Sequence, residues 1–145
     1  MLRGYVLGFD FGEVRIGVAG GSSELGIATP LATITGSNND EKFLAIGKLI
    51  TEWHPNQLVV GLPCHLDGQE HEMTRLARKF GQRLSGRFNL PVVWVDERLT
   101  SAEANEMLGA SGVSFSRRKL AVDQVAAMRI LQAWFDQQSV QVHPT

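Results

Sequence analysis

A single cysteine, Cys64, stands in 145 residues. An internal disulfide is therefore excluded, and a reducing cytoplasmic setting is expected. No apolar run approaches the roughly 20 residues that span a bilayer, so no membrane segment is expected. The start is equally unlike a signal peptide, because Arg3 and Gly4 lead directly into a strand and Asp10 interrupts any apolar core. An excess of one charge is also missing. With a formal net charge of −1, the whole-molecule field does not gather nucleic acid, and any such binding has to come from local patches. His54, His65, His71 and His143 lack zinc-ligand spacing. Cys64 has no evident base partner and reads as a small buried thiol. Aromatic residues make up only 8% of the chain and fall on predicted core stripes, which argues against an exposed base-stacking platform.

What is present fits an ordinary globular protein, 43% hydrophobic and 20% charged. The length suits one domain, residues 1–138, with a sizeable core and a frayed tail over 139–145. Three short β-rich runs come first: "GYVLGFD" (4–10), "VRIGVAGG" (14–21) and "ATPLATIT" (28–35). Phe11-Gly12-Glu13 reads as a hairpin connection, and Pro30 marks an edge or irregular start. A helix follows, capped by Asn39 or Asp40, with Phe43, Ile46, Ile50 and Trp53 at helical spacing and Pro55 beyond its end. "QLVVGLP" (57–63) and "PVVWV" (91–95) are continuous apolar runs, as in strands buried on both faces. Residues 70–88 predict a helix with a Leu76, Phe80, Leu84 core stripe. A short helix at 101–108 and a loop at 109–116 lead to the last helix, 118–138. This order predicts an α/β domain: an antiparallel meander extended by parallel strands through right-handed crossovers, with helices covering the sheet.

Three acidic positions sit where a fold alone does not ask for them. Asp10 closes the first strand, Asp96-Glu97 closes "PVVWV", and Asp123 falls inside the core stripe of the last helix. That stripe is Leu120, Ala127, Ile130 and Trp134; Asp123 lies three residues after Leu120 and four before Ala127. A carboxylate facing a sheet needs a compensating partner. Ends of neighbouring parallel strands converge on one sheet edge, where ligands bind. Asp10, Glu97 and Asp123 on that edge, with no Cys/His cluster, suit a hard cation such as Mg²⁺ or Mn²⁺. Two such ions about 4 Å apart clamp the attacking and leaving oxygens of a phosphodiester hydrolysis. Period-2 alternation puts Asp96 and Glu97 on opposite faces; Glu97 is the one expected at the site, with Asp96 held in reserve as a further ligand. Taken singly, each carboxylate is better explained by a turn, a local pair with Arg98, or a cap or local salt bridge; it is the three together that point to the metal site.

The basic residues divide into two groups. Arg75, Lys79, Arg83 and Arg87 recur every four residues and line one side of the 70–88 helix, either a solvated face or a nucleic-acid contact. Arg117, Arg118 and Lys119 precede Asp123 in the loop at the helix start, where they would clamp a phosphate. Arg15 and Arg98 flank the candidate carboxylates and would position phosphate or neutralise them.

"GFDFGEVRIGVA", "VVGLPCHLDG", "RLARKF", "VDERLTSAEA" and "VDQVAAMRIL", in this order and spacing, resemble the YqgF/RuvX family of bacterial proteins over about residues 4–138. The resemblance implies a ribonuclease H-like fold related to Holliday-junction resolvases. That is a five-stranded mixed sheet, with a three-strand antiparallel meander plus two parallel strands, flanked by helices. It also implies a metal-dependent nuclease with the family's acidic positions on Asp10, Glu97 and Asp123. The implied role is maturation of the 5′ end of pre-16S ribosomal RNA in ribosome biogenesis, with junction resolution as the alternative. One departure is Glu13-Val14, where the family often has a small polar residue followed by a basic one; Arg15 is left as the nearby phosphate contact. Expected partners are pre-rRNA, branched DNA or ribosomal precursor particles, with no membrane, and the chain is a monomer or homodimer. A two-fold junction would call for a dimer, yet no apolar interface stripe shows in the sequence. Two rivals stand beside this reading. The D-x-G turn also resembles the phosphate loop of actin-like and sugar-kinase ATPases, but 145 residues leave no room for their second lobe. The other is a non-catalytic RNA-binding factor in ribosome assembly or transcription.

Overall fold

The computed structural model describes residues 4–63, 72–96 and 115–142, with the backbone course alone at 115–121 and 139–142. The elements are β1 (Tyr5–Asp10), β2 (Arg15–Ser22), β3 (Thr29–Thr35), α1 (Asn39–Trp53), β4 (Pro55–Leu62), α2 (Glu72–Phe88), β5 (Val92–Asp96) and α3 (Phe115–Val142). They form one five-stranded sheet in the order β3-β2-β1-β4-β5. The β1–β2 and β2–β3 pairs are antiparallel, and β1–β4 and β4–β5 are parallel. The meander extended by parallel strands is therefore as expected. The expected short helix at 101–108 and nearly all of the loop at 109–116 lie outside the described residues.

Side chains alternate across the sheet, so each strand feeds two cores. Leu7, Phe9, Ile16, Val18, Leu58 and Val60 point to one side, where Phe43 and Ile46 of α1 and Phe80 and Leu84 of α2 cover them. Val6, Ala19, Val59 and Val95 point to the other, under Ala127, Ile130, Leu131 and Phe135 of α3. β4 contributes to both cores, which is why its sequence reads as unbroken apolar residues.

Several expectations are corrected. α1 is capped by Asn38, one residue before the expected candidates: its Oδ1 accepts from the Glu41 N–H at 2.9 Å, and Glu41 reaches back to the Ser37 N–H at 2.8 Å. β5 is not a strand buried on both faces, because it forms the sheet edge and leaves Trp94 38% exposed. In α2 the buried positions are Thr74, Ala77, Phe80, Gly81 and Leu84, so Leu76 is displaced from the core. Gly81 is there because an added Cβ would lie 2.7 Å from the Trp94 ring. α3 begins at Phe115 and runs to Val142, longer at both ends than 118–138 and helical into the expected tail. Phe135, not the half-buried Trp134, closes its core stripe.

Candidate active site

The first turn of the chain builds the site. Asp10 is the last residue of β1, and Gly12 lets the chain reverse tightly: a Cβ there would lie 2.5 Å from the Arg15 carbonyl oxygen. Returning along β2, Arg15 and Gly17 share one face with Ala19, the face under α3. Asp10 and Gly17 are cross-strand partners. Val6 faces α3, and alternation puts Gly8 and Asp10 on that same face.

α3 then descends onto this surface because the strands offer almost no side chain there. A Cβ on Gly17 would lie 1.9 Å from the Asp123 carbonyl oxygen, and one on Gly8 would lie 2.8 Å from Leu131 Cβ. The helix backbone thus rests on the strand at the position facing Asp10. Arg15 Nε donates to Asp123 Oδ2 at 2.6 Å. The two side chains are 25% and 19% exposed, so water screens the pair only in part. The partner that a carboxylate inside a core stripe requires is therefore Arg15, 108 residues away in sequence.

Asp10, Arg15 and Asp123 are brought together. Asp96 is not: Trp94 packs on α2, and alternation puts Asp96 on that same side, opposite Asp10. Glu97 and Arg98 lie outside the described residues. Arg117, Arg118 and Lys119 belong to the opening turns of α3 and not to a loop before it, a correction that follows from the helix starting at Phe115. Of the α2 stripe, Arg75 is ion-paired with Glu72, and Arg87 lies over the Phe43 ring at 4.4 Å. Lys79 and Arg83 line a cleft between α1 and α2, across the sheet from the carboxylates.

Among the described residues no group of three His, Cys, Asp or Glu side chains forms a metal cluster. The donor chemistry of Asp10 and Asp123 nevertheless fits a hard divalent ion. Both are oxygen ligands at one sheet edge, and Asp123 already draws a cation, the Arg15 guanidinium. Two features escaped the sequence reading. Lys42 is buried, and its Nζ donates to the Glu13 carbonyl at 2.5 Å, fastening the β1–β2 connection to α1. Its signal was available, since Lys42 adjoins Phe43 and precedes Ile46 by four. The small face of β2 was also legible as Gly17, Ala19 and Gly21 at alternate positions.

The family model described as "RuvX: Holliday junction resolvase" matches residues 4–137. The chain belongs to the RuvX family. A Methylobacillus flagellatus protein named "Putative pre-16S rRNA nuclease" is 61% identical over 134 residues, covering 92% of each chain. A Neisseria meningitidis protein of the same name is 59% identical over 134 residues, covering 92% of this chain and 89% of that one. Membership places the chain among the nucleases, hydrolases that act on phosphodiester bonds. The fold is that of the ribonuclease H-like resolvases: Thermus thermophilus RuvC, solved with a Holliday junction substrate, superimposes with a TM-score of 0.56 at 15% identity, covering 93% of this chain and 95% of that one. No helix among the described residues is long and apolar enough to cross a membrane.

Proposed function

We propose that this chain is a divalent-metal-dependent nuclease that processes the 5′ end of pre-16S ribosomal RNA in the cytoplasm, on free pre-rRNA or ribosomal precursor particles. The observation that carries the reading is the Asp123–Arg15 pair seated beside Asp10 on a glycine-floored sheet edge, in a chain whose relatives are named for that substrate. Asp10 and Asp123, with Glu97 as the third carboxylate, would hold Mg²⁺ or Mn²⁺. When bound, such ions acidify the attacking water and offset charge developing on the phosphate. The chain's own cations do the positioning. Arg15 is held in place by Asp123 and presents its remaining guanidinium donors to a phosphate approaching Asp10. Arg98, Arg117, Arg118 and Lys119 steady the neighbouring backbone, and Arg75, Lys79 and Arg83 on α2 serve the substrate backbone where it reaches the other face of the sheet. Water attacks phosphorus and the P–O3′ bond breaks, leaving a 5′-phosphate and a 3′-hydroxyl. The compact turn at Gly12 keeps side chains out of the path of that phosphate.

Junction resolution is the second reading, favoured by the family description. The deciding experiment follows cleavage of an end-labelled pre-rRNA leader, a single-stranded RNA and a four-way DNA junction with Mg²⁺, Mn²⁺ or EDTA. Metal-dependent cutting that is lost in Asp10→Asn is expected, with the leader preferred over the junction. Preference for the junction would move the function to resolution. Binding without cutting would replace the nuclease by an RNA-binding assembly factor.

A further inference from the structure

The face of the sheet away from the carboxylates holds an open cleft of about 420 Å³ between α1, α2 and the β1–β2 connection. That size falls in the roughly 300–1,000 Å³ range of small-molecule sites. Its composition is divided. Phe11, Leu76 and Phe80 give it an apolar wall, and Lys42, Lys79 and Arg83 give it cations. Phe11 lies 4.9 Å from Phe80 between ring centroids, tilted by 32°. It is half-buried, packed against the core yet lining the cleft. With the exposed Trp94 on the edge strand, Phe11 breaks the expectation of core stripes alone, because it sits in a connection and not on a helix or strand.

The cations are placed to meet an anion. Lys79 and Arg83 are exposed, one helical turn apart, and neither side chain makes a hydrogen bond or ion pair among the described residues. Two like charges at that spacing repel mildly, and an anion between them relieves the repulsion. Lys42 spends one donor on the Glu13 carbonyl and keeps its charge at the cleft. The bordering acids do not cancel this set, because Glu72 is already paired with Arg75 and Glu13 is exposed at the rim.

An apolar wall with an aromatic ring beside two unpaired cations matches the two halves of a nucleotide, a flat base and a phosphate. The position identifies its source. Phe11 follows Asp10 directly in the chain, so the cleft opens at the same end of β1 as Asp10 but on the other face of the sheet, and a strand with its scissile phosphate at Asp10 reaches it by rounding that end. We infer that this cleft receives an unpaired nucleotide flanking the scissile phosphate, its base against Phe11 and Leu76 and its phosphate between Lys79 and Arg83. The inference rests on the nuclease reading and deepens it, because a base held in a duplex cannot enter. Substrates must then be single-stranded beside the cut.

Binding in EDTA tests this without any cleavage. A fluorescein-labelled single-stranded RNA of ten nucleotides and the same sequence as a duplex are titrated by fluorescence anisotropy against wild type, Phe11→Ala, Phe11→Tyr and Arg83→Gln. The single strand is expected to bind more tightly than the duplex. Phe11→Ala should weaken single-strand binding about tenfold, in line with the loss of one base stack, with the duplex changed by less than twofold. Phe11→Tyr should restore it. Arg83→Gln, which removes no packed side chain, should weaken single-strand binding severalfold at an unchanged melting temperature. Equal binding of single strand and duplex, or an Arg83→Gln variant that binds like wild type, would overturn the inference. If wild type cuts nothing with Mn²⁺ while these binding differences hold, the nuclease reading falls and the cleft remains.

Discussion

The two faces of the sheet are built on opposite packing rules. Under α1 and α2 the strands present Leu7, Phe9, Ile16, Val18, Leu58 and Val60, and the helices answer with Phe43, Ile46, Phe80 and Leu84. Under α3 they present Gly8, Gly17, Ala19 and Gly21 of the β1–β2 pair alongside the smaller Val6, Val59 and Val95, and the helix comes down until its backbone meets the strand at Gly17. The first face fills space with large side chains and carries much of the apolar burial that stabilises the fold. The second gives up side-chain volume for close approach. That approach sets Asp123 over the position opposite Asp10 and lets Arg15 reach its carboxylate at 2.6 Å. Stability and site geometry are thus lodged on different sides of one sheet.

The two faces should fail in opposite directions. Removing volume should hurt most on the α1/α2 face. Phe9 is fully buried, and Phe9→Ala is expected to cost about 3–5 kcal/mol, measured by urea unfolding. A comparable loss at a thin-face position such as Ala19→Gly would break the comparison. Adding volume should hurt most under α3. A Cβ at Gly17 meets a helix carbonyl at 1.9 Å, and a backbone atom cannot swing aside as a side-chain tip can. Gly17→Ala should therefore cost about 1–3 kcal/mol or more and should also depress phosphodiester hydrolysis, since Asp123 moves with the helix. Loss of stability with hydrolysis intact would mean that the helix position and the site are independent.

A smaller change sharpens the role of the thin face. Arg15→Gln removes the cation from a half-buried pair, with an expected cost of about 1 kcal/mol. Isothermal titration with Mn²⁺ should show tighter binding in this variant, because a fixed positive charge no longer competes for Asp123. Weaker Mn²⁺ binding would instead make Arg15 the group that aims Asp123.

How much of this was legible in the sequence follows from the range of each interaction. The β1–Gly12–β2 hairpin is local, so alternation and one turn residue suffice to read it, and Asp10 stands out at its apex. β4 declares itself through an apolar run with no polar face. Asp123 was readable as an anomaly, a carboxylate inside a helical stripe, but its partner was not. Arg15 is 108 positions away, and no periodicity links the two. Lys42 escaped because a lysine in an apolar stripe is ordinarily read as a solvated flank, whereas its stem here is buried and its amine ends on a carbonyl of the β1–β2 connection. The cap of α1 was missed by one residue, since Asn38, Asn39 and Asp40 are all good caps and only the reciprocal bond from Glu41 chooses among them.

That reciprocal bond carries the smallest expected effect, and it belongs to the space-filling face. Glu41 Oε2 accepts from the Ser37 N–H at 2.8 Å and from Ser37 Oγ at 3.0 Å. The backbone hydrogen bond, with help from the hydroxyl, holds the Glu41 carboxyl below its ordinary value. A carboxyl whose value is lowered by folding stabilises the folded chain above its unfolded value, about 4.3. That contribution is lost as pH falls through the folded value. Glu41→Gln should thus lower the melting temperature slightly at pH 6, and the gap to wild type should close as pH falls below 4. Lys42, the next residue, fastens the β1–β2 connection to α1, so a loosened first turn of α1 would be transmitted toward Asp10. A gap that persists unchanged at pH 3 would trace the effect to packing at the α1 terminus, and the charged cap would then play no part in holding that connection.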